Sequence, residues 1–324
     1  MKAPSFWYKA PGFLSTLLSP LGWGYGLLAS WNYSSQKPQH FSIPVISVGN
    51  LVCGGAGKTP VALSLAKILQ EKGFQVHFVT RGYKGREQGP LKVNTSQHSA
   101  RDVGDEPLLL AQQAPTWVSK KRGDGIQKAI ENKADLVILD DGHQTKGIVK
   151  DLSFIVVDSL QGFGNGLPLP AGPLREPLTE GLKRTHAVIL LGEPPFAMGG
   201  PQPFYRARII LQPLTLPTKS VVAFCGIGFP QKFYHSLKKL KVDLVATKSF
   251  PDHHIYTEKD LCRLANLAKK NKATLLTTRK DWIKMNSSWQ KQLHVSDIAV
   301  QFEDAPGLYR FILEKIPSLK EERA

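Results

Sequence analysis

The sequence predicts an α/β protein of two α/β/α sandwich domains behind an N-terminal membrane-associating segment. Three observations carry this. A β-branched run at 43–48 (IPVISV) leads directly into a glycine-rich turn and an amphipathic helix. The same alternation of buried-strand and helix patterns restarts after Pro201. The chain, at 324 residues and 42% hydrophobic, exceeds what one core usually serves. The expected divisions are 1–41 for the arm, 42–200 for the first domain and 201–324 for a smaller second one.

In the arm, residues 6–31 gather three of the six tryptophans with Phe6, Tyr8, Phe13, Tyr25 and several leucines. Pro11, Pro20, Lys9 and four glycines interrupt the run, so the roughly 20 apolar residues of a spanning helix are missing. Amphipathic rings settle at headgroup level, which favours a segment lying in a membrane interface. Packing on the protein's own core and a cleaved signal peptide stay open as alternatives. The formal net charge of +16 attracts anionic partners without choosing among them. Lys and Arg are spread along the chain and no DNA-reading module is recognisable, so no nucleic acid is expected. Cys53, Cys225 and Cys262 lack the spacing of zinc sites or disulfide frameworks, as in a reducing compartment.

The first domain opens with the strand at 43–48, the turn 49–59 (GNLVCGGAGKT) and a helix over 58–72 with Pro60 in its first turn and Gly73 at its end. Strand, glycine-rich turn, Lys-Thr and helix make a phosphate-binding loop. Backbone N–H groups of Gly54, Gly55, Ala56 and Gly57 would cradle ATP phosphates, Lys58 reach the β and γ phosphates, and Thr59 ligate Mg²⁺. Val52 stands where the usual pattern has its first glycine, so the compact form resembles the GG-x-GK-T loop of deviant P-loop ATPases, with Cys53 in place of their extra lysine. Further strands are expected at 76–80, 117–119 and 136–139. The last ends in Asp140 and Asp141, where carboxylates can hold Mg²⁺, although Asp-Gly is also a common turn. Asp105 and Glu106 open an apolar helix, where acids also serve as ordinary caps. Residues 250–256 (FPDHHIY) bring Asp252, His253 and His254 together, a pattern metal could equally use.

Taken in order, FWY, VGN-x4-GGAGKTP, RGY, GDEP, DDGHQ, LPAGPLREP, FPDHHIY and LTTRKDW span nearly the whole chain and resemble the tetraacyldisaccharide 4'-kinase family. The resemblance implies transfer of the ATP γ-phosphate to the 4'-hydroxyl of an acylated glucosamine disaccharide 1-phosphate at the cytoplasmic face of the bacterial inner membrane; a monomer is expected. It implies an acid-base pair of Asp105 and His253, with Asp141 as the competing base, and a metal site of Thr59, Asp140 and Asp141. Arg175 becomes a clamp on the transferring phosphoryl group, and Asn50, Arg81 and Arg122 become substrate-binding residues. The family usually reads DDGFQH and TTEKD where this chain has His143, Thr145 and Arg279.

In the second domain, strands are expected at about 220–225, 243–248, 273–277 and 297–302, with helices near 230–240, 257–270 and 306–316, after a proline-rich connection at 192–218. A cleft between the domains would let Asp105 meet His253 and would shield ATP from water. Two other readings remain: a deviant P-loop ATPase that switches a protein or DNA partner, and a kinase for a different lipid or sugar acceptor.

Overall fold

The computed structural model describes residues 4–34, 37–193 and 201–321. In chain order its strands are β1 (Val45–Gly49), β2 (Val76–Thr80), β3 (Leu91–Lys92), β4 (Thr116–Val118), β5 (Leu136–Asp140), β6 (Leu152–Asp158), β7 (Ala187–Leu191), β8 (Phe204–Leu211), β9 (Ser220–Cys225), β10 (Asp243–Ser249), β11 (Thr274–Thr278), β12 (His294–Ser296) and β13 (Ile298–Phe302). They form a large sheet in the order β13-β8-β7-β6-β1-β5-β2-β4-β3 and a small one in the order β10-β9-β11-β12. Only the edge pairs β3 with β4 and β13 with β8 are antiparallel.

The central strands are buried on both faces, as parallel strands covered by helices must be, and this explains their unbroken Val, Ile and Leu runs. Against β1, β2 and β5 the helix Lys58–Glu71 buries Val61, Ala62, Leu65, Ala66 and Leu69. Each large aliphatic chain so buried contributes about 2 kcal/mol. The helix Ala305–Lys315 adds Leu308 and Ile312 to that same core.

The sheets cut across the expected boundary at 200/201. β8 lies inside the segment expected as a connection, and β13 follows the small sheet in sequence yet pairs with β8 from Ile298↔Leu211 to Phe302↔Ala207. The small sheet is therefore inserted between two strands of the large one. Of β8 only Ala207 is buried, so a strand with arginines on its open face carries almost none of the apolar signal by which strands are recognised. Residues 194–200 of the expected connection lie outside the described residues.

The arm forms a 3-10 turn at Ser5–Tyr8 and a continuous helix, Phe13–Ser34, despite Pro20 and its glycines. Ser15, Gly22 and Gly26, spaced along one face, are buried. A Cβ at Gly22 would come 2.9 Å from the Pro168 carbonyl, so that face packs closely on the loop leading to Arg175. The opposite face leaves Phe13, Leu14, Leu17, Leu21 and Leu28 in solvent. Among the described residues no helix is long and apolar enough to cross a membrane.

Candidate active site

The C-terminal ends of the central parallel strands all face one side, and the polar motifs collect there. β1 ends in the turn that precedes the helix Lys58–Glu71. Gly57 takes a φ of 83°, a left-handed conformation, and a Cβ there would press within 2.3 Å of Leu191 Cδ2. Gly57 supplies no side-chain cap, so the first N–H groups of the helix remain available to an anion. A Cβ at Gly54 or Gly55 would meet nothing within 4 Å, which leaves the crest of the loop open.

Beside it, Thr59 Oγ1 donates to Asp140 Oδ2 at 3.0 Å, and Lys58 Nζ lies 3.6 Å from Asp141 Oδ1. Arg175 Nη1 donates to both Asp141 oxygens, at 3.0 and 3.2 Å. The Arg175 loop is pinned to the phosphate loop by Cys53 N donating to the Pro173 carbonyl at 2.7 Å and Arg175 N to that of Leu51 at 2.8 Å. The two aspartates are driven apart electrostatically. Burial, with Glu106 and Asp141 nearby, pushes Asp140 up to about 7. Burial acts on Asp141 too, but Lys58, Arg175 and Arg122 outweigh it and hold that carboxyl at about 2.

Across the cleft from this cluster, His253 Nδ1 lies 2.8 Å from Asp105 Oδ2 and 3.0 Å from its Oδ1, joining the loop after β10 to the helix Asp105–Ala111. Burial of Asp105 favours its neutral form, yet the His253 hydrogen bond and the charge of Lys280 hold it at about 2. With Asp105 ionised, the proton of that bond sits on Nδ1. Tyr83 of the RGY turn stands edge-on to the His253 ring at 5.5 Å. His254 turns away to Asp260, with Nε2 3.2 Å from Oδ2, so the two histidines do not converge on one point.

Two residues expected to bind substrate are buried within the site. Arg122 is 5% exposed: its Nη2 donates to the carbonyls of Asp140 and Asp141, at 3.0 and 2.8 Å, and its Nη1 to Thr145 Oγ1 at 2.8 Å. These contacts tie the guanidinium to the aspartate turn. Asn50 is fully buried, its Nδ2 donating to the Val52 carbonyl at 2.8 Å, and braces the phosphate loop from beneath. Arg81 is exposed at the end of β2.

The departures from the family pattern are accommodated locally. His143 is buried between Ser153 Oγ and the Gly181 carbonyl, each at 3.1 Å, and burial keeps it neutral, down to about 3. Because a carbonyl only accepts, Nε2 carries the proton and Nδ1 accepts from Ser153. Arg279 pairs with Asp297 and lies over the Trp282 ring, 4.8 Å from its centre. Sequence reasoning assigned no role to Lys280, whose Nζ reaches Asp105, Glu106 and Asp252; its only signal was its place in the LTTRKDW motif.

Residues 14–317 match the family model described as LpxK, tetraacyldisaccharide-1-P 4'-kinase. A tetraacyldisaccharide 4'-kinase of Parvibaculum lavamentivorans is 47% identical over 294 residues, covering 87% of this chain and 86% of the relative. One from Rhodospirillum centenum is 42% identical, with 96% of each chain covered. The crystal structure of an apo-form LpxK from Aquifex aeolicus in complex with ATP superposes with a TM-score of 0.78 at 29% identity, covering 94% of this chain and 99% of that one.

Proposed function

The chain belongs to the tetraacyldisaccharide-1-P 4'-kinase family, and from that premise we propose how its residues perform the transfer. The enzyme moves the γ-phosphate of ATP to the 4'-hydroxyl of an acylated glucosamine disaccharide 1-phosphate in lipid A biosynthesis. The observation that carries the mechanistic reading is the Asp105–His253 pair, which joins the helix Asp105–Ala111 to the loop after β10.

The triphosphate lies on the N–H groups of the Gly54–Gly57 turn, with Lys58 on its β and γ oxygens. Arg175, held in place through Asp141, faces the phosphoryl group in flight and stabilises the charge spread over it. The Asp105–His253 pair orients the acceptor hydroxyl and takes up its proton late in a loose transition state. Asp141 is the weaker base because Lys58 and Arg175 grip its carboxylate and, among the described residues, no imidazole relays a proton to it, whereas Asp105 works through the His253 ring.

Among the described residues no group of three His, Cys, Asp or Glu converges as a ready-made metal cage. Magnesium at such sites uses one or two carboxylates and completes its shell with phosphate and water. The buried Asp140 carboxyl, pushed toward neutrality beside Glu106 and bonded to Thr59, is a site that a divalent cation would relieve. Thr59 and Asp140, with Asp141 alongside, would hold Mg²⁺, which when bound neutralises phosphate charge.

The apolar face of the arm helix and the basic chain support docking at the cytoplasmic face of the inner membrane, where ATP and an anionic glycolipid meet. Arg81, exposed at the end of β2, is retained as a substrate contact. Transfer of labelled γ-phosphate from ATP to a detergent-dispersed acyl disaccharide 1-phosphate tests the reading. Folded, ATP-binding protein that leaves the lipid unlabelled would overturn it.

A further inference from the structure

Three carboxylates approach one another where the small sheet meets the large one. Asp105 and Glu106 come from the first turn of the helix Asp105–Ala111, and Asp252 from the loop after β10. Uncompensated, they would repel across the cleft and push His253 away from Asp105. Lys280 Nζ stands among them, 3.8 Å from Asp105 Oδ2, 3.8 Å from Glu106 Oε1 and 3.4 Å from Asp252 Oδ1. Its backbone is fixed in the short helix Arg279–Trp282, where Thr278 Oγ1 accepts from Asp281 N at 3.1 Å. The neighbouring Lys284 is already engaged by Asp281 at 2.7 Å in a buried pair. The other groups facing Asp105 are His253 and, farther off, Lys284.

We propose that Lys280 is a positioning residue of phosphoryl transfer: its ammonium, carried by the small sheet's unit, joins carboxylates of both units and thereby holds Asp105 and His253 in register. The proposal rests on the acid-base role given to that pair. Lys280 acts through Asp105: among the described residues its ion pairs are with Asp105, Glu106 and Asp252. Its removal separates a chemical step from nucleotide binding, as a small misplacement of catalytic groups does. The raised proton affinity of Lys280 in this acidic surround keeps the ammonium charged throughout the working range.

The test compares full-length Lys280→Gln, Lys280→Arg, Asp105→Asn and the double variant Lys280→Gln/Asp105→Asn, reading kcat and KM on the acyl disaccharide with ATP and measuring ATP affinity directly. The proposal expects Lys280→Gln to lower kcat by about tenfold or more with ATP affinity within about twofold. Lys280→Arg, which keeps the charge and folds on the same contacts, should recover most of the loss. Adding Lys280→Gln to Asp105→Asn should cost little more. Unchanged kcat in Lys280→Gln, or a fully additive loss in the double variant while Asp105→Asn alone is crippled, would overturn the role of Lys280 and leave the pair standing. Full turnover in Asp105→Asn would instead remove the pair itself, and Lys280's role with it.

Discussion

Arg122 Nη2 donates to the main-chain carbonyl of Asp141 at 2.8 Å, and through the neighbouring carbonyl of Asp140 it fixes the turn that presents both aspartates. Asp141 sits there with a φ of 51°, a conformation that non-glycine residues adopt at a cost and that this guanidinium helps hold. A lysine cannot span two carbonyls and a hydroxyl with planar donors. Arg122→Lys should therefore destabilise the protein by about 2 kcal/mol in urea unfolding and lower kcat. An unfolding midpoint equal to wild type would show that the turn holds itself.

Lys58 and Arg175 grip the same carboxylate, and the proposed mechanism assigns them to different moments of the reaction. Lys58→Ala should weaken ATP binding and reduce turnover together. Arg175→Ala should lower kcat by about a hundredfold with a smaller effect on ATP affinity, because its charge matters most when the phosphoryl group is in flight. Equal losses of ATP affinity in both variants would contradict that division.

On the arm helix, Leu17 and Leu21 are 63% and 64% exposed. Leu17→Glu/Leu21→Glu should reduce co-sedimentation with anionic vesicles by about tenfold while leaving ATP affinity and thermal unfolding unchanged. Unaltered vesicle binding would assign this face to another partner.

His77 is buried on β2, and its Nδ1 accepts from Trp117 Nε1 at 3.3 Å. Burial, aided by the charge of Lys92, holds it from its ordinary 6.5 down to about 4. Between those values the unfolded chain binds more protons than the folded one, so this group's contribution to stability falls as the pH drops through that window. His77→Asn keeps an acceptor near Nδ1 and cannot titrate. It should flatten the pH dependence between pH 6.5 and pH 4 by at most about 1.4 kcal/mol per pH unit, measured by urea unfolding. An unchanged slope would place the titration elsewhere.

The nucleotide side of the candidate site is proposed from the sequence because its motifs are local. The strand, turn, Lys58 and Thr59 are contiguous, and Asp140 and Asp141 end an unmistakable apolar strand. The meeting of Asp105 with His253 followed from family likeness, since nothing in the spacing of residues 148 positions apart predicts contact. What stayed hidden is what tertiary packing decides. β8 lacks a buried face, so its membership of the large sheet is invisible locally, and with it the return of β13. Arg122 reads as a free cation beside a strand end, and only burial shows it bound to carbonyls. Lys280 belongs to a short helix whose importance comes wholly from the carboxylates opposite.

The central claim is that the Asp105–His253 pair serves the acceptor's proton and not the nucleotide. The most direct measurement is labelled γ-phosphate transfer to the acyl disaccharide by Asp105→Asn, with the ATP dissociation constant determined on the same preparation. The account predicts that turnover falls by about a hundredfold or more while ATP affinity stays within about twofold. Loss of ATP binding in step with turnover, or turnover close to wild type, would contradict it.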